Sequence, residues 1–507
     1  MQKRVTPLPI AARLADLAMK APEDTVLTEP AANGEWRMVS YHELLRDVRT
    51  LSESISVKRR TYGREIVVCY PARPTVETVI AILAALCAEV PVFPHSPRLD
   101  GERLSAVLEK GNLSLLPKGI DGTGALGQLD AMRIASWSSG EPARRPVYLL
   151  ATSGSTSTPK LVPFWNLGHY DPRAIPDLVF RSCGWTPGQR QLLALPPNHI
   201  APFAALIQGV LDENHLVLAG DLTADDTVDA IVRWGVEWLM LTPNHMQRLL
   251  PHARCRSAEL TQVRGLLHTA LPCPPGLKND WIDLLPSARV YEMYGGTEGV
   301  GVTVIDGAEW QRRPGSVGRG LLTSVRVQYD DGSPAPHGAI GRVFLKRLGA
   351  SGPRPELDWL ETTSDGYRSL GDVGWVDGDG YLYVFDRAAN AVVAESGVAW
   401  LGRTSLVLRG HPGLLDAECV TLGDDEQQVI GAMVVARDGI DVDLRDVHRH
   451  CVEYLATFER PQIYLRVSMI PRSDLGKVDA VAIRAEFDQL CSTDTESVLR
   501  IRQEGSL

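Results

Sequence analysis

Several absences narrow this 507-residue chain before any motif is read. Its eight cysteines, Cys69, Cys87, Cys183, Cys255, Cys273, Cys419, Cys451 and Cys491, form no Cys-x-x-Cys pair. Neither a zinc framework nor a disulfide scaffold is indicated, and a reducing cytoplasm is the expected setting. Positive charge is not in excess: 52 Lys and Arg stand against 62 Asp and Glu, a formal charge of −10 with a pI near 5.7. That balance argues against nucleic acid as the main partner and favours small molecules. No apolar run reaches membrane-spanning length, and the basic start Met1-Gln-Lys-Arg4 is not followed by an apolar signal core, so a soluble protein with no membrane partner is expected. With 44% hydrophobic and 22% charged residues the chain is not disordered or fibrous, and its length implies more than one domain.

The densest chemical signal is Tyr148-Leu-Leu-Ala-Thr-Ser-Gly-Ser-Thr-Ser-Thr-Pro-Lys-Leu-Val162. Apolar residues at 147–150 and 161–164 read as two strands around a loop. Thr152, Ser153, Gly154, Ser155, Thr156, Ser157 and Thr158 offer hydroxyls and backbone N–H groups to an anion, and Lys160 adds a positive charge. A Ser/Thr-rich surface turn is the alternative. A Walker loop is excluded, because G-x-x-x-x-G-K-[ST] is absent.

Around this loop the rhythm is α/β. An amphipathic helix follows Ser40, its N-cap, with Leu44, Val48, Leu51 and Ile55 on one face. A strand at 66–69, a helix at 76–90 and a strand at 90–93 suggest a parallel sheet. The run Gln191-Leu-Leu-Ala-Leu-Pro-Pro-Asn-His-Ile-Ala-Pro-Phe203 predicts a buried strand and then a Pro-rich turn displaying Asn198, His199 and Phe203, at the strand end where α/β sheets bind ligands. A core histidine is the alternative for His199. A strand at 236–242 and the helix opening at Pro243 look structural. A further strand leads to the turn Thr269-Ala-Leu271, with His268 just before it. Tyr294-Gly-Gly-Thr-Glu-Gly-Val-Gly301 combines close backbone approach with a hydroxyl at Thr297 and a hard oxygen ligand at Glu298.

Strands at 325–330 and 340–346 suggest a small antiparallel subdomain. The run 367–387 reads as a hairpin turning at Asp377-Gly-Asp-Gly380, with Asp372 an acid on a loop. From about 388 the pattern is compact α+β, with strands at 418–422, 429–435 and 462–467 and a helix at 444–455. On that helix His448 and His450 point apart, so with Cys451 they read as structural rather than as a metal site. Pro471-Arg-Ser-Asp-Leu-Gly-Lys477 ends the motifs.

Taken together, the loop at 152–160, Tyr294-Gly-Gly-Thr-Glu298, Gly371-Asp-Val-Gly-Trp375 and Gly476-Lys477 resemble the motifs of the adenylate-forming superfamily, in pattern nearest to bacterial acyl-CoA synthetases and the related amide bond synthetases. The resemblance implies a large α/β domain over 1–386, including the small antiparallel subdomain, and a mobile α+β domain over 387–507. It implies ATP and Mg²⁺ as cofactors, with the 152–160 loop, Tyr294, Gly295, Gly296, Asp372 and Arg387 on the nucleotide. Thr297, Glu298 and Lys477 take catalytic roles, Glu298 as the metal ligand. Asn198, His199, Phe203, His268, Thr269, Ala270, Leu271 and Gly301 outline the acid pocket. The family usually has Gly where Ser157 stands, and Gly-Gly-Ala-Pro where Thr269, Ala270 and Leu271 stand. The hinge position is Ala389 or Asn390. A small, aromatic carboxylic acid is expected. The acceptor leans towards an amine, with His199 a candidate base, because Ala389-Asn-Ala-Val-Val-Ala-Glu-Ser-Gly-Val-Ala-Trp400 lacks the paired glycines of the CoA passage and adds Trp400. CoA remains the rival acceptor, a catalytically silent nucleotide-binding homologue the second alternative, and a monomer or homodimer the expected state.

Overall fold

The computed structural model describes residues 7–62, 65–99, 101–116, 132–137, 145–152, 159–171, 173, 177–220, 222–285, 289–349, 354–394, 397–423, 428–437, 439–472, 476–490 and 497–501. They divide into two compact units, one made of the residues up to 152 with 159–321 and 354–357, the other of 322–349 with 358–501.

The first unit holds a nine-stranded sheet in the order Arg319–Gly320, Val302–Asp306, Arg289–Gly295, Gly265–Thr269, Trp238–Leu241, Arg190–Leu193, His215–Leu218, Thr25–Pro30, Trp36–Ser40. The stretch from Arg289–Gly295 to Thr25–Pro30 is parallel, and both edges are antiparallel. Parallel strands are covered on both faces, which is why Trp238, Leu239, Met240 and Leu241 are buried in succession instead of alternating. A second sheet runs Leu113–Leu115, Arg133–Trp137, Ile66–Pro71, Val92–His95, Tyr148–Ala151, Leu161–Phe164. Its parallel pair Ile66–Pro71 and Val92–His95 is joined by the helix Val76–Cys87, the βαβ unit expected from the sequence. The helix Tyr41–Tyr62 buries Leu44, Val48, Leu51 and Ile55. Ser40 caps it reciprocally: Oγ of Ser40 accepts from the Glu43 N–H at 3.3 Å, and the Glu43 carboxylate accepts from the Ser40 N–H at 2.9 Å.

Two histidines of this unit are half-buried and hydrogen-bonded to threonine hydroxyls. His215 shares a hydrogen bond of 2.7 Å with the Thr28 hydroxyl, and His245 one of 2.7 Å with the Thr242 hydroxyl. Burial, helped by Arg190 and Arg248 respectively, pushes each down to about 4 from 6.5. A depressed histidine contributes stability that is complete above the unfolded value and is lost as pH falls from 6.5 towards 4, on the order of 3 kcal/mol for each ring. The melting temperature is therefore expected to fall between pH 6.5 and 4.5, and more gently in a His215→Gln/His245→Gln variant. Parallel pH profiles for the two proteins would contradict this.

The second unit contains the antiparallel sheet Thr323–Gln328, Gly341–Arg347, Arg368–Val376, Leu382–Arg387. It also contains the hairpin of Ala391–Ala394 with Gly397–Trp400 and the sheet Leu414–Leu422, Val429–Ala436, Ile463–Arg466, Val498–Arg500. On its helix Leu444–Tyr454, His448 bonds the Tyr464 hydroxyl at 3.0 Å and His450 the Val407 carbonyl at 3.0 Å. Among the described residues no helix is long and apolar enough to cross a membrane.

Candidate functional site

Strand order locates the first part of the site. The strand Arg190–Leu193 lies between His215–Leu218 and Trp238–Leu241, so the chain steps to one side of it and then to the other. The C-terminal ends of Arg190–Leu193 and Trp238–Leu241 flank that switch point, where open α/β sheets take their ligands. One end leads to Pro197-Asn198-His199, the other to Pro243-Asn244-His245. Asn198 is buried, its Nδ2 3.3 Å from His199 Nε2, and among the described residues its Oδ1 has no hydrogen-bond partner. The second histidine was passed over in the sequence as part of a structural strand–helix pair. The repeated Pro-Asn-His, on neighbouring parallel strands paired Leu193 to Met240, was the available signal.

Two more of the pocket candidates are buried in the structure. Phe203 is not displayed on a turn: the helix Ile200–Leu211 begins just before it, and its side chain is fully buried with its ring 4.5 Å from that of Tyr148. Tyr148 stacks in turn on Phe164 at 4.6 Å. The ring therefore braces the hairpin of Tyr148–Ala151 with Leu161–Phe164. His268 faces the interior as well, 0% exposed and 4.0 Å from the Glu292 carboxylate. Burial, with Lys278 adding to it, holds its pKa well below the usual value.

At Thr269 the hydroxyl donates to the Met293 carbonyl at 2.8 Å, tying the turn to the next strand. Ala270 follows with φ +79°, a conformation glycine adopts without strain. Ala270→Gly is expected to stabilise the protein by about 0.5–1 kcal/mol, the relieved strain exceeding the added unfolded-state entropy. A urea midpoint that falls would contradict this. Leu271 extends the same turn, half-buried.

Strands Tyr148–Ala151 and Leu161–Phe164 form the expected antiparallel hairpin. Thr152 and Lys160 close its base twice, the Thr152 N–H donating to the Lys160 carbonyl at 2.9 Å and the Lys160 N–H to the Thr152 hydroxyl at 3.1 Å. Ser153, Gly154, Ser155 and Thr156, with Ser157 and Thr158, lie outside the described residues. The strand Arg289–Gly295 carries Tyr294 to its end. A turn follows, the Gly299 N–H donating to the Gly296 carbonyl at 3.0 Å with Gly299 at φ +62°, which leaves Thr297 and Glu298 half-buried. The Glu298 carbonyl accepts from Arg354 Nη1 at 3.0 Å. A β-carbon on Gly295 would come within 3.0 Å of the Gly301 carbonyl.

In the second unit Asp372 is not on a loop. It is buried in the strand Arg368–Val376, opposite Arg387 in register, and the two form an ion pair of 3.0 Å. Just beyond, the Asp386 carboxylate accepts from Asn390 Nδ2 at 2.8 Å and from the Gly402 N–H at 2.7 Å, which ties the 388–390 turn to the helix Leu401–Arg409. Lys477 is half-buried, and the carbonyl of Gly476 before it accepts from Arg472 Nη1 at 3.0 Å.

Among the described residues no group of three or more His, Cys, Asp and Glu could hold a metal ion. A single carboxylate such as Glu298 fits Mg²⁺ only in the manner that ion favours, with waters and substrate phosphates completing its shell.

The family model described as AMP-binding enzyme matches residues 14–351. The chain belongs to this family. It is an adenylate-forming, AMP-forming ligase. Among sequence relatives, the fatty acid–[acyl-carrier-protein] ligase ScoC of Streptomyces coeruleorubidus is 25% identical over 91% of this chain and 94% of its own length. Two solved structures carry the fold. One is o-succinylbenzoate CoA synthetase from Bacillus subtilis with its acyl-adenylate intermediate, at TM-score 0.73 and 19% identity over 95% of this chain and 99% of that one. The other is the amide bond synthetase McbA from Marinactinospora thermotolerans, at TM-score 0.71 and 22% identity over 94% and 99%.

Proposed function

We propose that this ligase activates a small aromatic carboxylic acid with ATP, releasing pyrophosphate, and passes the acyl group to an amine to give an amide and AMP. The observation that carries the first half is the family match over 14–351 together with Lys477 near the C-terminal end. The acid is already an anion, so attack on the α-phosphate needs charge neutralisation and in-line placement more than a base. Lys477, Thr297 and the donors of the 152–160 loop serve that need. Tyr294, Gly295 and Gly296 lie along the nucleotide, with Asp372 and Arg387 on the ribose side. Mg²⁺, held through Glu298, supplies further neutralisation of phosphate charge when bound. Residues 387–507 act as the moving domain, with Asn390 or Ala389 at its hinge.

The amine rests on the hairpin after the hinge. Gly397 has φ +153°, and a β-carbon there would meet the Phe458 ring at 2.6 Å. The Trp400 ring lies edge-on to Phe385 at 5.6 Å. A hairpin pinned in this way and carrying a bulky ring is a poor wall for a thin thiol arm. An amine needs only proximity and loss of its proton, for which His199 is the candidate base. The second reading is transfer to CoA, the acceptor named for the o-succinylbenzoate enzyme. The fatty acid in ScoC's name weighs against an aromatic acid.

Pyrophosphate release with benzoate-like acids and with palmitate tests the acid, and parallel reactions with CoA and with excess simple amines test the acceptor. Palmitate turnover matching that of the aromatic acids would refute the first assignment, and rapid acyl-CoA formation without accelerated amide formation the second. Glu298→Gln is expected to raise the Mg²⁺ concentration needed for half-maximal pyrophosphate release, since the amide keeps an oxygen but loses the charge. An unchanged metal titration would remove Glu298 from the metal.

A further inference from the structure

A charged network centred on Arg472, a residue given no role from the sequence, lies beside Lys477. Asp416 and Glu418 lie two apart on the strand Leu414–Leu422 and so share a face. Arg472 reaches both: Nε and Nη2 donate to Asp416 Oδ2 at 3.2 and 2.7 Å, and Nη2 also to Glu418 Oε1 at 3.0 Å. On their other flank Arg409, the last residue of the helix Leu401–Arg409, pairs with the same two carboxylates and donates Nε to the Ala417 carbonyl at 2.9 Å. The Arg472 side chain is only 17% exposed. Its remaining branch, Nη1, donates to the Gly476 carbonyl at 3.0 Å. Arg472 also bridges Val478 through the backbone, and the Asp479 N–H donates to the Pro471 carbonyl at 3.0 Å. Ile470 before the loop and Ile483 after it are both buried in one apolar cluster. The two stems are thus fixed by packing and backbone pairing, and the Arg472 side chain reaches the peptide that joins Gly476 to Lys477.

We propose that Arg472 is a positioning residue for Lys477, its planar fork spanning the Asp416–Glu418 pair and the Gly476 carbonyl so that the lysine leaves the loop in one direction. This rests on the reading of Lys477 as the lysine of the adenylation step. A lysine at 472 keeps the charge opposite the two carboxylates but cannot hold both ends at once, because an ammonium is a point charge and a guanidinium a fork.

The test measures acid-dependent ATP–pyrophosphate exchange, acyl transfer from a pre-made acyl adenylate, and thermal melting on full-length protein. Arg472→Met is expected to lower kcat of exchange about 10- to 100-fold, as misplacement of a catalytic group by about 1 Å does. The KM for ATP and the transfer rate should stay within about twofold, since neither depends on the lysine's placement. Arg472→Lys, which retains the ion pairs and folding, should fall in between. In a Lys477→Ala background Arg472→Met should add no further loss, because a positioning residue acts only through the group it positions. Equal loss in both half-reactions, a multiplicative loss in the Lys477→Ala background, or wild-type exchange in Arg472→Lys would each overturn the proposal. Normal exchange in Arg472→Met beside a strongly slowed Lys477→Ala would overturn it alone, whereas wild-type exchange in Lys477→Ala would remove the lysine's role and the proposal with it.

Discussion

Lys477→Ala is expected to slow acyl-adenylate formation by roughly 30- to 1,000-fold while leaving acyl transfer from a pre-made adenylate nearly intact. The α-phosphate gains negative charge as the carboxylate adds and the bond to pyrophosphate opens, so a cation placed there stabilises the transition state more than the ground state. Losing one such donor costs roughly 2–4 kcal/mol of barrier, about 30- to 1,000-fold in rate. The second half-reaction starts after pyrophosphate has gone and develops its charge on the acyl carbonyl and the AMP leaving group. With residues 387–507 acting as the proposed moving domain, the lysine is no longer needed at that step. Single-turnover assays of the two halves separate these steps, and an equal loss in both would refute the division of roles. Lys477 should also tolerate arginine poorly, since the longer planar fork cannot place a point charge where an ammonium stood.

The two parts of this reading were legible in the sequence to different degrees, for physical reasons. Residues 148–164 could be read because period and composition change together: apolar runs flank a hydroxyl-rich stretch, and the hairpin Tyr148–Ala151 with Leu161–Phe164 follows. Ser40 and Glu43 declared a helix start through local hydrogen bonds, which sequence spacing encodes directly. Phe203 was misread because Pro196 and Pro197 suggested that the turn continued, while Ile200–Leu211 is apolar on every side and so gives no face to distinguish inside from outside. Asp372 was read as a loop residue, and the burial of His268 was not legible, because the surroundings of both are set by neighbours distant in the chain. His268 is opposite Glu292 and Asp372 opposite Arg387 through strand register, which no local pattern specifies. Arg472 was invisible for the same reason: its partners Asp416 and Glu418 are more than 50 positions away.

The largest expected effect on folding comes from Lys278→Met. A lysine on the short helix Pro275–Leu284 would ordinarily face water, yet Lys278 is 0% exposed, with Nζ 2.6 Å from Glu292 Oε2 and 4.8 Å above the Trp310 ring. Glu292 belongs to the strand that ends in Tyr294 and Gly295, the nucleotide candidates. Burial pushes the Glu292 carboxyl up, opposed by Lys278. Removing the lysine leaves the carboxylate buried without its counter-charge, which costs about 3–5 kcal/mol, whereas replacing both partners by neutral groups of similar size costs far less. Urea unfolding should therefore show a large loss for Lys278→Met and recovery of much of it in Lys278→Met/Glu292→Gln. The single variant should also be less impaired at pH 5 than at pH 8. Without Lys278 the folded-state pKa of Glu292 lies further above its unfolded value, so protonation as pH falls removes the penalty. A loss below about 1 kcal/mol, or a double variant no more stable than the single one, would mean that the pair contributes no net coupling to the strand. The Tyr294–Glu298 turn would then be held by strand pairing on both sides, the Thr269–Met293 bond and the Arg354 contact, without a contribution from this ion pair.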